Sequence, residues 1–142
     1  MIQGQTIDHA GTASEREILA ANGYSDKAIN YYLTKPHMGI LSDADQITEM
    51  VGSCGDTMGI SIKVEDGIIV DAKYQVLGCP GAVSSAMAVV DLIKGKSIEY
   101  ARTIDDGDIF RLLERLPSKK HECIQLAAKS LQKALDDYAN KS

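Results

Sequence analysis

Apolar and polar side chains alternate in two consecutive runs near the middle of the chain, and this two-residue period is typical of β-strands with one buried face. The runs cover residues 58–64 and 68–76. Glu65-Asp66-Gly67 separates them, and an Asp-Gly pair tolerates the positive φ angles that a tight hairpin turn needs. The pattern therefore predicts a β-hairpin whose open end lies just before residue 58 and just after residue 76.

Apolar residues at helical spacing flank this hairpin on both sides. A further strand is predicted at residues 46–51, and helices at residues 14–22, 25–35, 80–94, 98–101, 105–116 and 118–138. Ser14 and Glu17 match a capping box, Pro117 ends one helix, and Ser118 is suited to cap the last one. This order predicts an α+β fold, in which a small antiparallel three-stranded sheet has α-helices packed on one face.

Composition narrows the possible roles of the chain. It has 142 residues, of which 44% are hydrophobic and 25% charged, as in ordinary globular domains. A formal net charge of −5 argues against broad binding to nucleic acid or to an anionic membrane. No apolar run approaches the ~20 residues of a membrane-spanning helix, and residues 1–5 lack the basic and apolar regions of a signal peptide. We therefore expect a cytoplasmic protein.

The three cysteines, Cys54, Cys79 and Cys123, are the strongest chemical signal. An odd number of cysteines in a reducing compartment favours metal ligation or thiol chemistry over a disulfide framework. Cys54 lies among glycine, serine and aspartate, and the hairpin should bring it beside Cys79. Cys79 precedes Pro80 at a predicted helix start, where the helix dipole favours thiolate. For Cys123, at the edge of an apolar helical stripe, core packing and ligation both remain open.

Asp56 and His121 are further candidates. Asp56 follows Cys54 by two residues, and it either forms hydrogen bonds at the hairpin mouth or supplies an oxygen ligand beside the thiolates. Thiolates select zinc, copper(I) or iron–sulfur clusters, and a carboxylate among them makes such a site more labile. His121 stands close to Cys123 and is either a surface residue or a ligand. The cysteine spacing matches no zinc-finger template.

Several segments, taken together and in this order, resemble the IscU/NifU-type family of iron–sulfur cluster assembly scaffolds. The resemblance runs from about Tyr24 to Tyr138. The segments are Tyr24-Ser25-Asp26-Lys27-Ala28-Ile29, Pro36-His37-Met38-Gly39, Gly52-Ser53-Cys54-Gly55-Asp56, Gly78-Cys79-Pro80-Gly81-Ala82, Lys94-Gly95-Lys96-Ser97, and Leu116-Pro117 through Cys123-Ile124-Gln125-Leu126-Ala127.

The resemblance implies a scaffold domain at residues 24–142, with residues 1–23 as an N-terminal extension that carries a short helix. It implies a transient [2Fe–2S] cluster at one end of the sheet, bound by Cys54, Cys79 and Cys123 with Asp56 as fourth ligand or release-promoting neighbour. Zinc is expected to occupy the same ligands in purified protein.

The resemblance also implies partners: a cysteine desulfurase that delivers sulfur, and apo-proteins that accept the cluster. The protein would be an assembly scaffold and cluster carrier, not a turnover enzyme, and either a monomer or a dimer. The alternative is a zinc-bound sulfur acceptor that stimulates a cysteine desulfurase, as in the SufU branch.

Two departures from the family pattern stand beside the third cysteine. The family usually has histidine directly before it, whereas this chain has Glu122 there and His121 one position earlier. The role of the family's histidine therefore either passes to Glu122, is taken by His121, or is absent from this chain. The family's chaperone-recognition motif Leu-Pro-Pro-Val-Lys reads Leu116-Pro117-Ser118-Lys119-Lys120 here, which leaves dependence on a dedicated Hsp70-type chaperone open.

Overall fold

The computed structural model describes residues 13–53 and 55–141. Residues 1–12, Cys54 and Ser142 therefore lie outside the described residues, whereas the short helix predicted in the N-terminal extension lies within them, at Ala13–Ala21. The elements are α1 (Ala13–Ala21), α2 (Asp26–Thr34), β1 (Gln46–Val51), β2 (Thr57–Glu65), β3 (Ile68–Leu77), α3 (Pro80–Ile93), α4 (Ile98–Arg102), α5 (Asp106–Leu113), a 3₁₀ turn (Ser118–Lys120) and α6 (His121–Lys141).

The three strands form one antiparallel sheet in the order β1-β2-β3. Asp66 and Gly67, at the tip of the β2–β3 hairpin, have φ angles of 52° and 77°, as a two-residue turn with both central residues at positive φ requires. At the other end, Thr57 pairs with both Val51 and Leu77. The predicted hairpin is confirmed, and the chain leaves β1 and β3 at the same end of the sheet.

One face of the sheet is buried beneath α3 and α6. The side chains that fill this layer include Met58, Ile60, Ile62, Tyr74, Met87, Leu131 and Leu135, all 0% exposed. The hydroxyl of Tyr74 donates to the carbonyl oxygen of Ala127 at 3.0 Å and lies 2.9 Å from Ser130 Oγ, so the one polar atom of this ring is satisfied. The predicted α+β fold, with helices on one face of the sheet, is confirmed.

The opposite face of the sheet carries apolar side chains in contact with solvent. Ile47 is 55% exposed, Val51 66% and Leu77 79%. Val51 and Leu77 flank Thr57 at the end of the sheet where the hairpin opens.

The outer edge of β3 is flanked by two connecting segments. Tyr74 donates its backbone N–H to the carbonyl of His37 at 2.9 Å, and Gly39 donates to the carbonyl of Tyr74 at 2.7 Å. Further along, Ile69 donates to Lys96 at 2.8 Å and accepts from Gly95 at 2.7 Å. These bonds occupy two positions of β3 that point away from β2.

Several helix boundaries differ from the prediction. Helix α5 ends at Leu113, before Pro117, because Glu114 turns to a φ angle of 74°. Ser118 does not cap an α-helix; it opens the 3₁₀ turn, in which Lys120 donates its backbone N–H to Pro117 at 2.8 Å, and α6 begins only at His121. Helix α1 begins one residue before Ser14. Over the described ranges, no helix combines the length and the apolar character needed to cross a bilayer.

Candidate metal centre

Three chain segments supply polar side chains to one point at the open end of the hairpin. Asp56 lies in the loop between β1 and β2, Cys79 is the N-cap residue of α3, and Cys123 lies in the first turn of α6. Because Thr57 pairs with Leu77, the next residues outward, Asp56 and Gly78, are also side by side. The sheet register therefore sets the separation between Asp56 and the thiol of Cys79.

Gly78 permits the close approach of the two loops. A Cβ atom on this residue would lie 2.7 Å from the Asp56 Cγ atom and 2.9 Å from its Oδ1 atom, closer than real Cβ contacts. The loop before Asp56 is also tight, since Gly52 donates its N–H to the Asp56 carbonyl at 2.8 Å and Gly55 has a φ angle of 91°. These contacts hold the Asp56 carboxylate against the start of α3.

The three side chains offer ligand atoms at metal-binding distances. The Sγ atoms of Cys79 and Cys123 are 3.6 Å apart, and Asp56 Oδ2 lies 3.6 Å from the first and 3.8 Å from the second. A tetrahedral zinc with Zn–S bonds of about 2.3 Å holds its sulfur ligands about 3.8 Å apart. The described donors therefore fit one tetrahedral ion, and thiolates are also the usual ligands of iron–sulfur clusters.

The three side chains differ in how far they are exposed to solvent. Cys123 is 3% exposed, whereas Asp56 and Cys79 are half-buried. The side chains border a cavity of about 140 Å³, lined by Asp56, Cys79, Lys119, Lys120, Glu122 and Cys123. An ion or a small anion can thus reach the thiol of Cys79 from outside, while Cys123 forms the inner wall.

The surroundings of Cys79 favour its thiolate. The neighbouring thiol of Cys123 contributes most, by a hydrogen bond that lowers the pKa of Cys79 to about 6. Burial and the Asp56 charge oppose this shift, while the backbone N–H of Ala82 and the Lys120 ammonium support it. The Cys123 thiol, the helix start and the lysine together therefore favour a deprotonated Cys79 sulfur, which is the form that binds metals and attacks sulfur electrophiles.

Lys120 was missed as a site residue by sequence reasoning. Its side chain crosses the first turn of α3, where a Cβ on Gly81 would lie 3.1 Å from Lys120 Cβ. Burial alone would lower the pKa of Lys120, but the charge of Cys79 and a hydrogen bond to it raise the pKa instead. The Lys119-Lys120 pair ahead of Cys123 was the available signal, and only the packing identifies Lys120 as the partner of Cys79.

The side chains of His121 and Glu122 lie in different surroundings. The His121 ring packs edge-to-face on Phe110, with centroids 5.1 Å apart and planes at 61°. Among the described residues, the close set of possible ligands consists of Asp56, Cys79 and Cys123 and does not include His121. Glu122 lines the cavity itself. His121 as a further ligand therefore stays a prediction, and so does Cys54.

Comparisons with known proteins agree with one another. The family profile described as NifU-like N terminal domain matches residues 23–142. The iron–sulfur cluster assembly scaffold protein IscU of Haemophilus influenzae is 41% identical over 123 residues, which is 83% of this chain and 97% of that protein. Scaffold protein IscU 1 of Archaeoglobus fulgidus is 38% identical over 121 residues, covering 84% of this chain and 78% of that one.

Two solved structures share the fold. A putative iron–sulfur cluster assembly scaffold protein for the SUF system from Fervidobacterium islandicum aligns with a TM-score of 0.67 at 23% identity, covering 79% of this chain and 96% of that one. The N-terminal part of a nitrogen-fixing NifU-like protein from Brucella abortus gives 0.68 at 16% identity, covering 87% and 99%. From the profile match and the identity of 38–41% to the two IscU proteins, the chain belongs to the NifU-like N-terminal domain family.

Proposed function

We propose that this protein is a scaffold on which an iron–sulfur cluster of the [2Fe–2S] type is assembled from iron and desulfurase-derived sulfur and then passed to apo-proteins. The observation that carries the proposal is the convergence of Asp56, Cys79 and Cys123 from three different parts of the chain. The family relatives named as assembly scaffolds support it.

The ligand set suits a cargo that must leave again. Cys79, Cys123 and Cys54 would supply thiolates, and Asp56 the fourth ligand or a neighbour that promotes release. A carboxylate is a harder ligand than a thiolate and binds the iron of a cluster less firmly. The cluster is therefore cargo, and the protein acts as a carrier and assembly platform, not as a turnover enzyme.

The shape of the site suits sulfur delivery by a partner. The half-buried Cys79 borders the cavity opening together with Lys119 and Lys120. A cysteine desulfurase would transfer persulfide sulfur to a thiol at this opening, and apo-acceptors would take the finished cluster from the same side.

The second candidate is a zinc-bound sulfur acceptor that stimulates a desulfurase. The observation in its favour is the 3.6 Å separation of the two sulfurs, with Asp56 Oδ2 at 3.6 and 3.8 Å, which suits one tetrahedral ion. Both candidates use the same ligands and differ in what the site carries in the cell.

Anaerobic purification and reconstitution separate the two. A scaffold should contain iron and acid-labile sulfide, develop visible sulfur-to-iron charge-transfer absorption when iron and sulfide are added, and transfer its cluster to an apo-ferredoxin. Stoichiometric zinc with neither cluster formation nor transfer would favour the sulfur acceptor. Cys79→Ala and Cys123→Ala should abolish metal binding, and unchanged binding in both variants would contradict either function.

Asp56→Ala tests the role of the carboxylate. Its cluster should persist several-fold longer in the presence of an apo-acceptor, because the weak oxygen site beside the iron is gone. Asp43→Ala, on an exposed loop where the carboxylate lies 3.7 Å from Lys63 Nζ, is the matched control. A cluster lifetime that is shortened in Asp56→Ala would contradict the role given to Asp56.

A further inference from the structure

The two described thiols form an asymmetric pair. Their sulfur atoms are 3.6 Å apart, close to contact for two sulfurs that are not bonded to each other. Both thiols line the cavity, but Cys123 is only 3% exposed, whereas Cys79 is half-buried. A group attached to the Cys79 sulfur from outside therefore arrives within reach of a second, inner sulfur nucleophile.

Resting on the proposed function, we propose that Cys79 and Cys123 act as an internal dithiol reductant, which converts delivered persulfide sulfur to sulfide. Persulfide sulfur has to gain two electrons to become the sulfide of a cluster. The pair supplies them from within the site and ends as a Cys79–Cys123 disulfide.

The step balances as a thiol–disulfide exchange. A persulfide donor first transfers its outer sulfur atom to Cys79, which becomes Cys79–Sγ–SH. The donor then departs as its own thiol. The Cys123 thiol gives its proton to the departing donor thiolate; its sulfur then attacks Cys79 Sγ, the Sγ–Sγ bond forms, the bond to the outer sulfur breaks, and the outer sulfur leaves as hydrosulfide with its own proton. The Cys123 sulfur is oxidised, the outer sulfur is reduced to sulfide, and a thiol reductant such as thioredoxin or glutathione regenerates the pair.

The geometry around the pair supports this step. Bonding requires the sulfurs to close from 3.6 Å to about 2.05 Å. Cys123 is held in the first turn of a long helix and Cys79 is the N-cap residue of another, so both backbones are fixed with the two sulfur atoms facing each other at the cavity. Lys119 and Lys120 line the cavity through which the hydrosulfide anion leaves.

A bound metal ion should slow the reaction. Asp56 Oδ2 lies within 3.8 Å of both sulfurs, so an ion that takes the carboxylate also takes both thiolates. A thiolate whose electron pair is shared with zinc is a weaker nucleophile and should attack a persulfide more slowly. Sulfide release is thus fastest from the metal-free site, or from a site in which at least one thiolate is not ligated.

The experiment uses the full, reduced, metal-free chain under anaerobic conditions. It is loaded briefly with glutathione persulfide and freed of the donor, and sulfide is then trapped while intact mass is recorded. We expect about one sulfide per chain, together with a loss of two hydrogens and a Cys79–Cys123 cross-link in the peptide map. Cys123→Ser should gain one sulfur atom, keep it, and release at least tenfold less sulfide; zinc-loaded wild-type protein should also release little, and Asp43→Ala should match the wild type.

The outcomes separate this inference from the proposed function. A wild-type chain that accepts the sulfur atom but keeps it as a stable persulfide would overturn the inference and leave the scaffold proposal standing. Release that persists in Cys123→Ser and disappears in Cys54→Ser would also overturn it, since Cys54 would then be the resolving thiol. A chain that accepts no sulfur and builds no cluster from iron and free sulfide would overturn both.

Discussion

Two regions of the molecule differ in how far their side chains are buried. They are the inner layer between the sheet and the helices, and the open end of the sheet. In the inner layer, Tyr74, Met87 and Leu131 are 0% exposed, whereas at the open end Val51 is 66% and Leu77 79% exposed. The candidate ligands lie at this open end, attached to a strand end and two helix starts. The comparison indicates that burial in one region holds the backbone that positions the ligands in the other.

The largest expected effect is on the free energy of unfolding, and it differs between a buried and an exposed leucine. Leu131→Ala should lower the free energy of unfolding by about 2–5 kcal/mol, because it leaves a cavity in a fully packed layer. Leu77→Ala, at a side chain that is 79% exposed, should change it by less than about 0.5 kcal/mol. Urea denaturation of the metal-free proteins measures both, and similar losses in the two variants would break the comparison.

A smaller effect is expected at the buried hydroxyl of Tyr74. Tyr74→Phe should lower the free energy of unfolding by about 1 kcal/mol, because its hydrogen bonds to Ala127 and Ser130 are lost. The loss stays modest because Ser130 still donates to the Ala127 carbonyl at 3.0 Å. Tyr100→Phe, at a ring that is 43% exposed, is the control and should be nearly neutral. Equal stability of Tyr74→Phe and wild type would show that the hydroxyl contributes nothing.

Gly78→Ala sharpens the comparison because it should damage the site more than the fold. The new methyl group would sit 2.7 Å from Asp56 Cγ, so the carboxylate has to move away from the thiols. We expect about tenfold weaker zinc binding in a chelator competition, equivalent to about 1.4 kcal/mol. Gly59→Ala is the control, since its methyl would have no neighbour nearer than 3.9 Å. Unchanged zinc affinity in Gly78→Ala would remove Asp56 from the ligand set.

The smallest effect concerns a surface ion pair far from both regions. Lys94 Nζ lies 3.2 Å from Asp71 Oδ1. Partial burial alone would raise the pKa of Asp71, but the hydrogen bonds from Lys94 and from the backbone of Ala72 lower it below its ordinary value.

A carboxyl with a lowered pKa stabilises the fold above its unfolded pKa and loses that contribution as the pH falls through its folded pKa. Lys94→Gln should therefore be less stable than wild type by a few tenths of a kcal/mol at pH 7, given solvent screening. The difference should vanish below about pH 3. A difference that is constant across pH in urea titrations would contradict the pairing.

Most of the fold followed from local pattern. The alternation of residues 58–64 and 68–76 with the Asp66-Gly67 turn was enough to predict the hairpin and, with it, the open end where Cys79 emerges. The end of α5 could not be predicted, because Glu114 adopts a positive φ angle that its residue type disfavours. A contact from a distant part of the chain stabilises this turn, since Ser25 donates its backbone N–H to the carbonyl of Arg115.

The meeting of three of the predicted side chains followed from the sequence, whereas the residues that surround them did not, and the roles of Cys54 and His121 stay predictions. Asp56, Cys79 and Cys123 converge as the resemblance implied. Lys120 reaches Cys79 only because Gly81 leaves room for its side chain, and His121 meets Phe110 only because α5 packs beside α6. Such contacts depend on how helices pack in three dimensions, and local sequence carries little information about that packing.

The hydrogen bonds along the outer edge of β3 have a consequence for how copies of this chain can associate. An unpaired strand edge is a template on which another chain can add a strand. Since the segments at His37–Gly39 and Gly95–Lys96 bond to two positions on the edge of β3, β1 is the edge that the described segments leave for strand addition. If two molecules paired through β1, both β1 edges would be occupied. Sheet-to-sheet pairing would then end at a closed dimer instead of a growing filament.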